Sequence, residues 1–72
     1  MVDMIKFKQT LVGKGMSVET LAEKSGIKKA TLYRRINDSC ESLTIAEVQA
    51  IVTALDLSGA EAQSIFFSGF VA

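Results

Sequence analysis

A chain of 72 residues holds one domain of modest stability, because at this length only about 60% of the unfolded surface is buried. Its 49% hydrophobic content is ample for a compact core and excludes a disordered chain. Its net charge of zero conceals a division: eight Lys and Arg face three acids in residues 1–37, a net +5, whereas residues 38–72 hold five acids and no base, a net −5. That division predicts a basic face for a polyanion and an acidic remainder. Histidine is absent and Cys40 is the single cysteine, so an internal disulfide and a zinc site are both excluded and a reducing cytoplasm suits the chain. No apolar run reaches the roughly 18 residues of a membrane span, and the alternating start Met-Val-Asp-Met-Ile-Lys-Phe-Lys is unlike a signal peptide.

Asp3 is placed to cap a first helix running to about Val12, with Met4, Phe7 and Leu11 on its inward face and Ile5 and Val12 beside it. Gly13 and Gly15 end it. Ser17 caps a second helix, Met16 stapling onto Leu21, and Leu21 and Ala22 point inward. Ala22 is small where another helix must cross closely. Gly26 ends this helix after about two turns, and Ile27 drops into the core. A third helix begins near Lys28 or Lys29, neither of them a good N-cap, and cations at that positive end favour a phosphate nearby. Leu32 and Ile36 at the centre of its buried side put Ala30, Arg34 and Asn37 opposite, Thr31 and Tyr33 on the flanks, and Arg35 near the rim of the packed side.

Residues 37–42, Asn-Asp-Ser-Cys-Glu-Ser, read as a polar loop with Cys40 in it. Thr44-Ile-Ala-Glu47 is a capping box with Leu43 and Val48 as its staple, and it opens a fourth helix to about Leu55 that buries Val48, Ile51, Val52 and Leu55. Ser58-Gly-Ala-Glu61 is a second capping box, opening a fifth helix through about Ser68 with Ile65 and Phe66 inward. There is no proline, no strand-like alternation and no internal repeat. The expected architecture is all-α, five short helices in a compact orthogonal bundle over residues 1–72. Residues 17–37 form its helix-turn-helix, two short helices joined at Gly26 with the second rich in cations, and residues 66–72 an aromatic tail.

Leu21-Ala22, Gly26-Ile27, Thr31-Leu32 and Ile36-Asn37, followed by Leu-Thr-x-x-Glu-Val-Gln-x-Ile over residues 43–51, resemble the lambda-repressor-like, Cro/C1-type helix-turn-helix domains. The run from Lys29 to Asn37 and the ending Leu-Ser-x-x-Glu-Ala-x-x-Ile-Phe-Phe over residues 57–67 look like those of small temperate-phage regulators. The resemblance spans residues 4–67. It implies a five-helix fold whose third helix enters the DNA major groove, usually as a dimer on a palindromic operator. Carried onto this chain, it puts base contacts at Lys28, Lys29, Ala30, Tyr33 and Arg34, and phosphate contacts at Ser17, Val18, Glu19 and Asn37. Two departures stand out. Val18 and Glu19 occupy the place of a frequent Gln, and Asp38 stands where Gly commonly follows Asn, which brings a carboxylate close to the DNA backbone.

The residue types fit such contacts. Arg34 can grip guanine O6 and N7 with two parallel donors, lysines reach guanine or phosphate, and the Ala30 methyl can touch a thymine methyl. Tyr33 can stack on a sugar or bond a phosphate, and Arg35 is counted with Ser17 and Asn37 among the phosphate contacts. The expected function is a small phage-type regulator of a lysis–lysogeny switch. It would occupy double-stranded operator DNA in the cytoplasm of a bacterial host, without cofactor, membrane or small-molecule substrate, and without room for a second domain. The alternative is an antirepressor or modulator that binds a partner repressor protein. Neutral overall charge favours the alternative, and so do the crowded Phe66, Phe67, Phe70 and Val71, of which Phe67, Phe70 and Val71 are the expected partner or dimer surface. Phe70 folding back against Ile5 is the competing reading. Catalysis is not expected, since Cys40 beside Glu41 has no candidate base.

Overall fold

The computed structural model describes residues 1–70, and of residue 70 the backbone alone. Five helices follow in order: α1 (Met4–Gly13), α2 (Val18–Ser25), α3 (Lys29–Asn37), α4 (Ile45–Leu55) and α5 (Gly59–Phe66), with a 3₁₀ turn at Ser68–Phe70. No strand occurs among the described residues, and the expected all-α, five-helix fold is the one observed.

Local side-chain chemistry sets four of the five helix starts. Asp3 accepts a hydrogen bond from the Lys6 amide, Ser17 from that of Thr20, Thr44 from that of Glu47 and Ser58 from that of Glu61. Glu47 and Glu61 return the bond to the amides of Thr44 and Ser58, completing both expected capping boxes. Their carboxyls accordingly sit below the usual carboxylate range, the bonds from these two backbone amides being the main cause. Gly26 ends α2 at φ +77°, a left-handed conformation that glycine adopts without a Cβ penalty.

The core comprises Phe7 and Leu11 of α1, Leu21 and Ala22 of α2, Leu32 of α3, Ile51 and Leu55 of α4, and Ile65 and Phe66 of α5, together with Cys40. Short helices of two or three turns are marginal alone, so burial of these faces is what keeps them helical. α2 lies against both α3 and α4, and α1 against α5, where Phe7 and Phe66 meet edge to face at 6.1 Å between ring centroids. The amide of Asp3 donates to the Ile65 carbonyl at 2.7 Å, tying the start of α1 to the end of α5.

Several expectations need correction. Cys40 is not a surface loop residue: it is 2% exposed. Ser39 and Cys40 take consecutive left-handed conformations, φ 62° and 59°, and the Cys40 amide donates to the Arg35 carbonyl at 2.7 Å, so the loop folds back and inserts the thiol into the core. Ile27, Val48 and Val52 pack on the edge of the core and remain half-buried. α5 stops at Phe66, two residues early, because Phe67 leaves helical geometry at φ −126° and the Ser68 hydroxyl donates to the Met1 carbonyl. Ile5 is largely exposed. The contact role expected of the Phe70 side chain and of Val71 lies outside the described residues.

Candidate nucleic-acid interface

Two short helices joined at Gly26 hold the cation-rich helix in place. Leu21 and Ala22 bury the inner side of α2, and Leu32, fully buried, with Ile36, half-buried, anchors α3 beneath its outer surface. On that outer surface Ala30, Tyr33, Arg34 and Asn37 recur at helical spacing and are all exposed. Lys28 and Lys29 precede them at the N-terminus of α3, also exposed. No side chain caps α3: Lys28 occupies the cap position without a side-chain hydrogen bond, which leaves amide donors and two cations at the positive end of the helix dipole. The structure therefore brings the five expected base-contacting positions, Lys28, Lys29, Ala30, Tyr33 and Arg34, onto one continuous strip.

The remaining expected contacts are placed less uniformly. Asn37 lies exposed at the end of the strip. Ser17 is exposed at the start of α2, its hydroxyl accepting from the Thr20 amide at 3.1 Å and bonding the Thr20 hydroxyl at 3.0 Å. Arg35 faces α4. Its Nε and Nη2 donate to Oε1 and Oε2 of Glu47 at 3.2 and 3.3 Å, and Nη1 donates to Ser42 Oγ at 3.4 Å. This is the one ion pair among the described residues, and it fastens α3 to α4.

Basic charge is spread more widely than the sequence division suggested. Lys6 on α1 donates to Ser64 Oγ of α5 at 2.7 Å, and Lys14 lies close enough to Glu61 to favour its ionised form. Lys28, Lys29 and Arg34 alone form the cationic group on the α3 strip.

One partnership on this strip was not legible from sequence spacing. The Tyr33 hydroxyl donates to Oε2 of Glu19 at 2.6 Å, linking α3 back to the first turn of α2. The bond pushes the Tyr33 phenol up and holds the Glu19 carboxyl down, with Lys29 adding to the latter effect. At the far end of α3, the Ser42 hydroxyl donates to Asp38 Oδ2 at 2.7 Å. Both carboxylates at the positions that depart from the family pattern are thus held by a hydroxyl of the fold.

Among the described residues no three His, Cys, Asp or Glu side chains gather where they could hold a metal ion, and no helix is long and apolar enough to cross a membrane. Neither the curated proteins nor the solved structures yield a match to this chain. The family model for the Cro/C1-type HTH DNA-binding domain matches residues 6–62, which takes in most of α1, all of α2 to α4 with the helix-turn-helix, and the first half of α5. The chain belongs to the Cro/C1-type helix-turn-helix family of DNA-binding domains.

Proposed function

We propose that this protein is a small phage-type transcription regulator of a lysis–lysogeny switch, working in the cytoplasm of a bacterial host. α3 enters the major groove of operator DNA. The observation that carries this reading is the exposed strip on α3: Arg34 at its centre, Lys28 and Lys29 at an uncapped helix start, and Leu32 buried directly behind. Arg34 reads guanine through two parallel donors, Lys28 and Lys29 reach guanine or phosphate, and the Ala30 methyl meets thymine. Tyr33 lies beside the bases with its hydroxyl turned back to Glu19, while Ser17 and Asn37 bracket the strip as phosphate contacts. The protein acts as a homodimer, or with a repressor protein, on a two-fold operator, and needs no cofactor.

The test is a titration of duplexes from the protein's own genomic neighbourhood at two salt concentrations. Nanomolar binding with a moderate salt slope is expected, and Arg34→Ala should weaken it by about 5- to 150-fold, the equivalent of one bidentate guanine contact. Binding that is indifferent to Arg34 would overturn the reading.

A second reading, an antirepressor that acts by binding a partner repressor, is favoured by a different face. Between α4 and α5 runs an open apolar groove of about 470 Å³, lined by Ile45, Val48, Val52, Ala62 and Phe67 among others. Ile45 is 67% exposed on its rim. Co-purification with a neighbouring repressor, without specific duplex binding, would establish that alternative in place of the first.

A further inference from the structure

Glu19 is a carboxylate beside the cationic strip of α3. It sits in the first turn of α2, where the helix dipole favours a negative charge, and it lines the cleft between α2 and the start of α3 with Glu23 and Lys29. Unlike Glu23, for which no comparable tie is seen, it is fixed in position. The 2.6 Å bond from Tyr33 fastens it beside a side chain of the exposed α3 strip. Oε2 accepts from Tyr33, and a carboxylate, with about four lone-pair sites on its two oxygens, can accept from a further donor as well.

A fixed negative charge there has two consequences for a duplex. Phosphates on any sequence are repelled by it, which weakens the electrostatic attachment common to all DNA. The major groove also carries groups that a carboxylate can accept from, the exocyclic amines of cytosine (N4) and adenine (N6), and these occur only at particular base pairs. The penalty is therefore general and the compensation sequence-dependent.

Resting on the reading that α3 enters the groove, we infer that Glu19 is a specificity-determining residue. Held by Tyr33, it suppresses attachment to arbitrary duplexes and is compensated by an exocyclic base amine on the operator. Tyr33 is the positioning residue that keeps the carboxylate at the groove instead of letting it turn away into solvent.

The test compares E19Q with D56N. Both remove one negative charge, and the side-chain carbonyl that E19Q introduces can still accept from Tyr33, so the fold is retained. Asp56 lies at the opposite end of α4 from the loop that follows α3, in a left-handed conformation that asparagine tolerates. Each protein is titrated with a random-sequence duplex and with the tightest duplex selected from a randomised pool by the wild-type protein. E19Q should bind the random duplex roughly threefold to tenfold more tightly at low salt. Its ratio of selected to random affinity should fall at least threefold, while D56N changes neither appreciably. Equal effects of E19Q and D56N, or an unchanged ratio in E19Q, would overturn the inference and leave the DNA-binding reading intact. If none of the three proteins binds any duplex, the DNA-binding reading itself fails and this inference falls with it.

Discussion

Replacing Arg35 by methionine separates a residue that braces α3 from one that touches DNA. The guanidinium makes a two-bond contact with Glu47 at 3.2 and 3.3 Å, with a third, longer bond to Ser42. The side chains of the pair are 23% and 18% exposed, so water screens them only partly. Fully exposed ion pairs contribute about 0.2–1 kcal/mol, whereas hydrogen bonds to charged groups reach about 1.5–3 kcal/mol. This largely covered, bidentate pair belongs between them, at about 1–2 kcal/mol. Methionine preserves much of the apolar stem, so the loss reports the charged contact rather than packing. In a domain of this size each kcal/mol shifts Tm by about 4–8 °C, which puts the R35M melt about 4–16 °C lower. E47Q should lose much of the same stability, and a double-mutant cycle read by urea unfolding should show coupling of about 1 kcal/mol. Additivity of the two substitutions within about 0.3 kcal/mol would refute the brace. If R35M weakened duplex binding in a salt-dependent way while E47Q did not, Arg35 would instead be a phosphate ligand.

Three other outcomes follow from local geometry. Gly26→Ala should destabilise by about 1 kcal/mol net, since alanine at φ +77° costs more than the unfolded-state entropy it saves. A Cβ there meets nothing within 4 Å, so Gly26→Asn should recover part of the loss in thermal melts. The Cys40 thiol, pushed up to about 11 chiefly by burial and further by Asp38 and Glu41, should react with iodoacetamide at pH 8 only as fast as the protein unfolds. Reaction of the native protein at the rate of a free peptide thiol would contradict that placement. Glu19, Glu47 and Glu61 titrate below the usual carboxylate range when folded, so their stabilising contribution is complete above the unfolded value and disappears as pH falls through the folded values. Melting temperature should therefore fall between pH 7 and pH 3, and an E47Q/E61Q protein should show a flatter dependence.

What was legible in the sequence was local. Asp3, Ser17, Thr44 and Ser58 each act on an amide three residues on, so a helix start is written within four residues. Leu32 and Ile36, four apart, orient α3 by periodicity alone, and from them the outward positions of Ala30, Arg34 and Asn37 follow. Contacts that depend on how helices cross were not legible. Tyr33 and Glu19 are 14 residues apart and Arg35 and Glu47 are 12 apart, and no spacing rule relates such pairs before the crossing angles of α2, α3 and α4 are known. The burial of Cys40 was hidden for another reason. It requires two successive non-glycine residues at positive φ, a conformation that Asn-Asp-Ser-Cys does not advertise.

A chain with no net charge still presents a cationic helix face. Six of its eight cations serve three different purposes, Lys8 and Lys24 lying apart on α1 and α2. Arg35 is occupied by Glu47, Lys6 and Lys14 face groups of α5, and Lys28, Lys29 and Arg34 remain on the α3 strip. Three cations opposed by the fixed Glu19 neutralise about two to three phosphates per protomer, so log Kd should change with log salt by about 2–3 for each bound copy. A dimer on a two-fold site would double that to about 4–6, which is well short of a strongly basic binder. Affinity for an operator must then come from base contacts more than from phosphate attraction, and discrimination should persist as salt rises. A slope near 10, or selectivity that vanishes at moderate salt, would show that cations beyond the α3 strip carry the binding.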